Sequence, residues 1–148
     1  MKFLILLLIG LFLTSKIIGQ KDKVDSLIVL LNNNSIIASG SYIGPNTILA
    51  GKTASDLIDL GKLSTRKLVS VLDDSTKGVI AHYILTIIWK LPIASEIMIY
   101  NEKLATYTVT WNDLNYFIDA KNKNVYANFS ELKTNKIMWE FFLKDKIN

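Results

Sequence analysis

The sequence predicts a mainly helical α+β domain: short helices first, then a small antiparallel β-ribbon, then one closing helix. Three observations carry this expectation. Helix-start residues recur at Thr53, at Ser64 or Thr65, and at Ser75 within one continuous stretch. Apolar residues in that stretch repeat at helical spacing. Beyond Pro92 the period changes, and Thr106–Trp111 alternates strictly, as a half-buried strand does.

Met1 to Gly19 has the parts of a secretory leader: Lys2, the apolar run Phe3 to Leu13, and a less apolar end reaching Gly19 and Gln20. The run is short of the ~20 apolar residues a membrane span needs, and Thr14, Ser15 and Lys16 follow it. A signal peptide over 1–19 is therefore expected, with residues 20–148 exported as a single domain to the periplasm or the extracellular space. No stable membrane anchor is expected after cleavage. Ile17, third before the cut, is bulkier than the small residue preferred there. The chain has no Cys, which excludes a lipoprotein, disulfides, thiolate nucleophiles and Cys-based zinc sites. A cysteine-free export product of this size fits a bacterial envelope.

The chain carries +4, and setting aside Lys2 and Lys16 of the leader leaves 15 basic against 13 acidic residues. That near-balance, with Arg66 the single arginine, gives no reason to expect nucleic acid as a partner.

Val24, Leu27, Ile28 and Leu31 recur at helical spacing, and Asn32, Asn33 and Asn34 stop that helix. Asn33-Asn34-Ser35 and Asn128-Phe129-Ser130 both fit the glycosylation acceptor pattern. Residues 35–52 hold Gly40, Gly44, Pro45 and Gly51 and are expected to form a loop pinned by their isoleucines, with Tyr42 at its tip as a candidate binding residue. Gly51-Lys52-Thr53 is not a phosphate loop, because Asn46 stands where the first glycine is required. Nor is Gly40–Gly44 a nucleophile elbow, since Ser39 and Ile43 occupy the flanking glycine positions.

Three helices are expected across 53–91. Thr53 with Asp56 has the form of a capping box, Leu57, Ile58 and Leu60 follow, and Gly61 provides a left-handed stop. Ser64 or Thr65 opens the second, with Leu68, Val71 and Leu72 on one face. Asp73 and Asp74 end it, Ser75 caps the third, and Pro92 closes that helix near Leu91. On a helical wheel Ile80, Ala81, Ile84, Ile87, Ile88 and Leu91 form a core face. Val79, His82, Thr86 and Trp89 lie opposite, flanked by Tyr83 and Leu85, so the helix is expected to be sandwiched between other elements.

Leu68, Leu72, Asp73, Asp74, Val79, Ala81, Leu85 and Ile88 together resemble a HEAT-type helical repeat, departing from it at Ile80 and at bulky Tyr83. The likeness spans about one repeat, whereas a stable solenoid needs about three. It implies HEAT-like central helices inside a small domain and a scaffolding or binding role, and it carries no catalytic residue.

Strands are expected at Glu96–Tyr100, Thr106–Trp111, Tyr116–Ile118 and Asn124–Ala127, with turns at Asn112–Asn115 and Ala120–Lys123. The closing helix spans 130–146 and is capped by Ser130. Its stripe of Leu132, Trp139, Phe142 and Leu143, widened by Met138 and Phe141, is expected to cover the sheet or the central helices.

His82 is the only histidine, so a multi-histidine metal site is excluded and any catalytic triad would have to recruit it. With Thr86 and Trp89 on its side, and Tyr83 adjacent, it could line a pocket. A hydrogen-bonded, partly buried role explains it more simply. Asp56, Asp59, Asp73 and Asp74 read as caps and turns rather than a glycosidase pair. The expectation is a non-catalytic binding or interaction module with no cofactor or metal, whose partner is a protein and whose candidate binding residues are Tyr42, His82, Tyr83 and Trp89. The alternatives are an immunity- or inhibitor-type protein that binds one enzyme, and a small envelope hydrolase using His82.

Overall fold

The computed structural model describes residues 19–41, 44–92 and 96–146. These form α1 (19–30), a 3-10 turn (Asn33–Ser35), β1 (Ile36–Ser41), β2 (Gly44–Leu49), α2 (Lys52–Asp59), α3 (Lys62–Ser70) and α4 (Gly78–Ile88). After them come β3 (Glu96–Asn101), β4 (Thr106–Trp111), β5 (Leu114–Asp119), β6 (Asn124–Tyr126) and α5 (Phe129–Leu143). The fold is mixed α+β: a hairpin β1-β2, an antiparallel sheet β3-β4-β5-β6, and helices around α4. Apart from Gly19, the leader lies outside the described residues, as does Tyr42. Among the described residues no helix is long and apolar enough to cross a membrane.

The helix α4 is the centre of the core. Every residue from Gly78 to Thr86 is buried, and α2, α3 and α5 pack against it. The enclosure expected from its all-round apolarity is therefore present. Ile87 departs from the wheel and is exposed, because the helix ends at Ile88 rather than near Leu91.

Its start differs too. Ser75 is not the cap; Asp74 Oδ1 instead accepts from the backbone N–H and the hydroxyl of Thr76, at 2.7 Å each, and helical geometry begins only at Gly78. The N–H of Ile80, orphaned in the first turn, is satisfied from elsewhere in the chain: Asn33 Oδ1 accepts it at 3.0 Å. Asn33 is 1% exposed, its Nδ2 donates to the Ser75 carbonyl at 2.9 Å, and its N–H donates to Thr76 O at 2.7 Å. A glycan on Asn33 would sever these bonds. Beside it, Asn34 Oδ1 accepts the N–H of Val125, which ties the β6 edge of the sheet to the same turn.

The two preceding helices start earlier than the sequence suggests, α2 by two residues and α3 by at least three. Gly51 (φ 101°) precedes α2, so Thr53 lies inside the helix, and Asp56 pairs with Lys52 at 2.8 Å instead of closing a capping box. Gly61 does take positive φ (57°), but with ψ −134°, a combination suited to glycine, and it leads straight into α3. Ser64 consequently lies within α3, where its hydroxyl sits 2.7 Å from Gly61 O and 3.0 Å from Leu57 O. The turn through Asp73 and Asp74 joins α3 to α4 as one helical pair, and a sheet follows it.

Residues 36–49, expected as a loop, pair as an antiparallel hairpin from Ile36↔Leu49 to Ser41↔Gly44. Gly40, Gly44 and Pro45 hide this alternation in the sequence. In the larger sheet, Met98, Val109 and Tyr116 stand in cross-strand register, and Val109, Trp111, Leu114, Tyr116, Ile118 and Val125 are buried. The β4–β5 turn is only Asn112-Asp113, both with positive φ (42° and 68°), as a two-residue type I′ hairpin requires. Strand β5 therefore begins at Leu114, earlier than the alternation suggested.

The closing helix buries Leu132, Asn135, Trp139 and Leu143 and packs on both β5 and the central helices. Met138 and Phe141, expected to widen the buried stripe, are exposed at 55% and 80%.

Candidate functional site

Residues one turn apart on α4, His82 and Thr86, face β4 and α5. The Nε2 of His82 lies 3.0 Å from the Trp111 carbonyl, and Trp139 Nε1 donates to its Nδ1 at 2.9 Å. A carbonyl can only accept and an indole N–H can only donate, so the imidazole proton sits on Nε2. Burial then pushes its pKa down to about 4, against the opposing pull of the Trp111 carbonyl, the Asn135 amide and the Asp113 charge. The result is a neutral imidazole with both nitrogens engaged. It has no free nitrogen to activate a substrate.

Aromatic packing surrounds this pair. Thr86 Oγ1 donates to Tyr83 O and accepts from Trp111 Nε1, and the Tyr83 and Trp111 rings stack at 4.3 Å. Trp139 meets His82 and Phe142 edge-to-face, and Phe142 meets Trp89 in the same way. On its other side Trp89 donates to Thr65 Oγ1 at 3.2 Å, with Lys62 Nζ 4.4 Å from its ring centre.

His82, Tyr83 and Trp89 therefore do not line one common pocket. The helical wheel placed them on adjoining sides, and the structure gives each side a different neighbour. Tyr83 and Thr86 border a hollow of about 230 Å³ with Ile87, Lys90, Leu91 and Trp111. His82 borders a separate one of about 270 Å³. Trp89 lines neither.

The hollow beside His82 is built from three segments. His82, Leu91 and Pro92 come from α4 and its exit, Asn112 and Asp113 from the β4–β5 turn, and the rest from one side of α5. Its buried lining is His82, Trp139 and Asn135; the last is 8% exposed, and its Nδ2 has no hydrogen-bond partner. Its outer lining includes the acidic residues Asp113 and Glu131, neither of which belongs to an ion pair found among the described residues. None of the described lining residues is Lys or Arg. Among the described residues no cluster of His, Asp and Glu could hold a metal ion.

Sequence reasoning missed Asn135, Asp113 and Glu131. A signal for the first was present: Asn135 falls between Leu132 and Trp139 at i+3 and i−4, a polar residue within the buried stripe. Nothing local marked the other two, whose position depends on the tight turn and on where α5 docks. No family model, no curated protein and no solved structure matches this chain.

Proposed function

We propose that the chain is an exported, non-catalytic binding module whose ligand occupies the hollow beside His82. The single observation that carries this reading is the buried Asn135 amide, whose unpartnered Nδ2 borders a cavity with otherwise largely apolar walls. A buried donor left unmade costs about 1–3 kcal/mol, and a ligand acceptor would recover it. The combination of apolar walls with a few converging polar groups is typical of small-molecule sites, and about 270 Å³ is near the lower end of their range. The neutral His82 serves as part of the wall, held by Trp111 and Trp139. Export rests on the leader pattern of Lys2 and Phe3–Leu13.

The test is a chemically mixed fragment set titrated into isotope-labelled protein. Hits are expected to shift the Trp139 indole and Asn135 amide resonances, and Thr134→Trp, which fills the outer part of the hollow, should abolish them. Hits scattered over the surface and indifferent to Thr134→Trp would remove the reading.

A second reading, an inhibitor-type protein for one enzyme, is favoured by Ile137 and Phe141, exposed one turn apart on α5. It predicts that envelope extracts yield one stoichiometric partner, lost with Phe141→Glu. Recovery of the same partner by that variant would exclude this face.

A further inference from the structure

Taking the hollow beside His82 to be a ligand site, as proposed above, we infer that its ligand is a small organic cation: an ammonium group on a flat apolar body that also carries an oxygen acceptor. Each part of that description answers one feature of the lining.

The charge follows from the outer residues. Asp113 and Glu131 reach the hollow from different elements, the β4–β5 turn and the first turn of α5. No described lining residue is Lys or Arg, and His82 is neutral with both nitrogens engaged, so the described lining carries two negative charges and no positive one. Lys146, which is not among the described lining residues, holds its Nζ 3.8 Å from the centre of the Phe142 ring and donates to the Phe142 carbonyl. A phosphate or carboxylate would meet two uncompensated like charges in a partly desolvated space, which is unfavourable by Coulomb energy and by desolvation alike.

The acceptor follows from the interior. Asn135 Nδ2 is a donor without a partner, and the other deep polar groups, the His82 nitrogens and the Trp139 N–H, are already used. A ligand that brought only hydrocarbon to that point would leave the amide unsatisfied, whereas a carbonyl or hydroxyl oxygen would pair with it. The flat body follows from Trp139, Phe142, Leu91 and Pro92, which supply aromatic and apolar surface to the same hollow.

Phenylalaninamide combines all three parts and is the probe of choice. At about pH 6 its α-ammonium is protonated, and His82, with its pKa near 4, stays neutral. Titration followed at the Trp139 and Asn135 resonances should saturate. N-acetylphenylalaninamide, which lacks the charge, and phenethylamine, which lacks the oxygen, should each bind about tenfold more weakly, and 3-phenylpropionate should not bind. The double variant Asp113→Asn, Glu131→Gln should weaken phenylalaninamide about tenfold while leaving the neutral 3-phenylpropanamide unchanged; Asn tolerates the left-handed backbone at 113. Neutral or anionic probes binding in the hollow as tightly as phenylalaninamide would overturn the cation assignment and leave the site standing. Failure of every probe to move those two resonances at millimolar concentration would remove the assignment and count against the site as well.

Discussion

Trp139 Nε1 donates to His82 Nδ1 across 2.9 Å, joining α5 to α4 over 57 positions of sequence. Because the indole can only donate, this contact exists only while Nδ1 keeps its lone pair. Protonating the ring would set two N–H groups against each other.

Stability should therefore depend on pH in a defined direction. His82 has a folded-state pKa of about 4 against an ordinary 6.5, so between those values the unfolded chain takes up a proton that the folded chain refuses. The contribution is complete above pH 6.5 and is lost as pH falls toward 4, amounting to on the order of 3 kcal/mol. Urea denaturation across this range measures it. His82→Phe should flatten the slope specific to this window, leaving the residual dependence of the carboxylates whose pKa values lie below the usual range, Asp56, Asp73, Asp74 and Asp119.

Asn33→Ala should cost about 2–3 kcal/mol, since it removes the acceptor of Ile80 N–H and the donor to Ser75 O in a buried setting. Asn33→Asp keeps the acceptor near the positive end of α4 but loses the donor, and should cost less at neutral pH. The midpoints of urea unfolding rank the two. Equal losses would show that the cap contributes nothing.

Gly78→Ala reverses a familiar expectation. In an open helix the change stabilises by up to about 1 kcal/mol, but a Cβ at Gly78 would collide with the Leu72 carbonyl oxygen and sit 2.9 Å from Leu132 Cδ2. Thermal unfolding should show a loss of about 1–3 kcal/mol, the usual range for overpacking.

Asp113→Gly relieves a left-handed backbone (φ 68°) and should leave the protein as stable as the parent or more so, by up to about 1 kcal/mol. The same change deletes one of the two carboxylates of the hollow. Phenylalaninamide affinity should therefore fall with no loss of melting temperature.

The helical pair around Asp73-Asp74, the central helix, strand Thr106–Trp111 and the closing helix were legible because each carries a local signal: apolar spacing in α3, an apolar run in α4, strict alternation in β4, and Leu132, Trp139 and Leu143 at helical intervals in α5. Residues 36–49 were not, since Gly40, Gly44 and Pro45 interrupt a strand whose pairing comes from its partner across the hairpin. Caps failed for a related reason. Thr53, Ser64 and Ser75 are all competent caps, yet Gly51, Gly61 and a distant asparagine take their places through backbone geometry and tertiary contact. At the candidate site His82 drew attention as the lone histidine, and its structural role followed from chemistry. Its neighbours in the hollow come from three segments that only the folded chain assembles.

The asparagine turn before β1 also bears on the order in which the chain folds. Asn33 reaches 47 residues ahead to Ile80 and Asn34 reaches 91 ahead to Val125, so both tethers require large loops to close before they return any energy. The first turn of α4 should remain frayed in early collapsed states and tighten only as β6 arrives. In native-state hydrogen exchange the Ile80 and Val125 amides should then be protected together, released by one concerted opening rather than by two local ones.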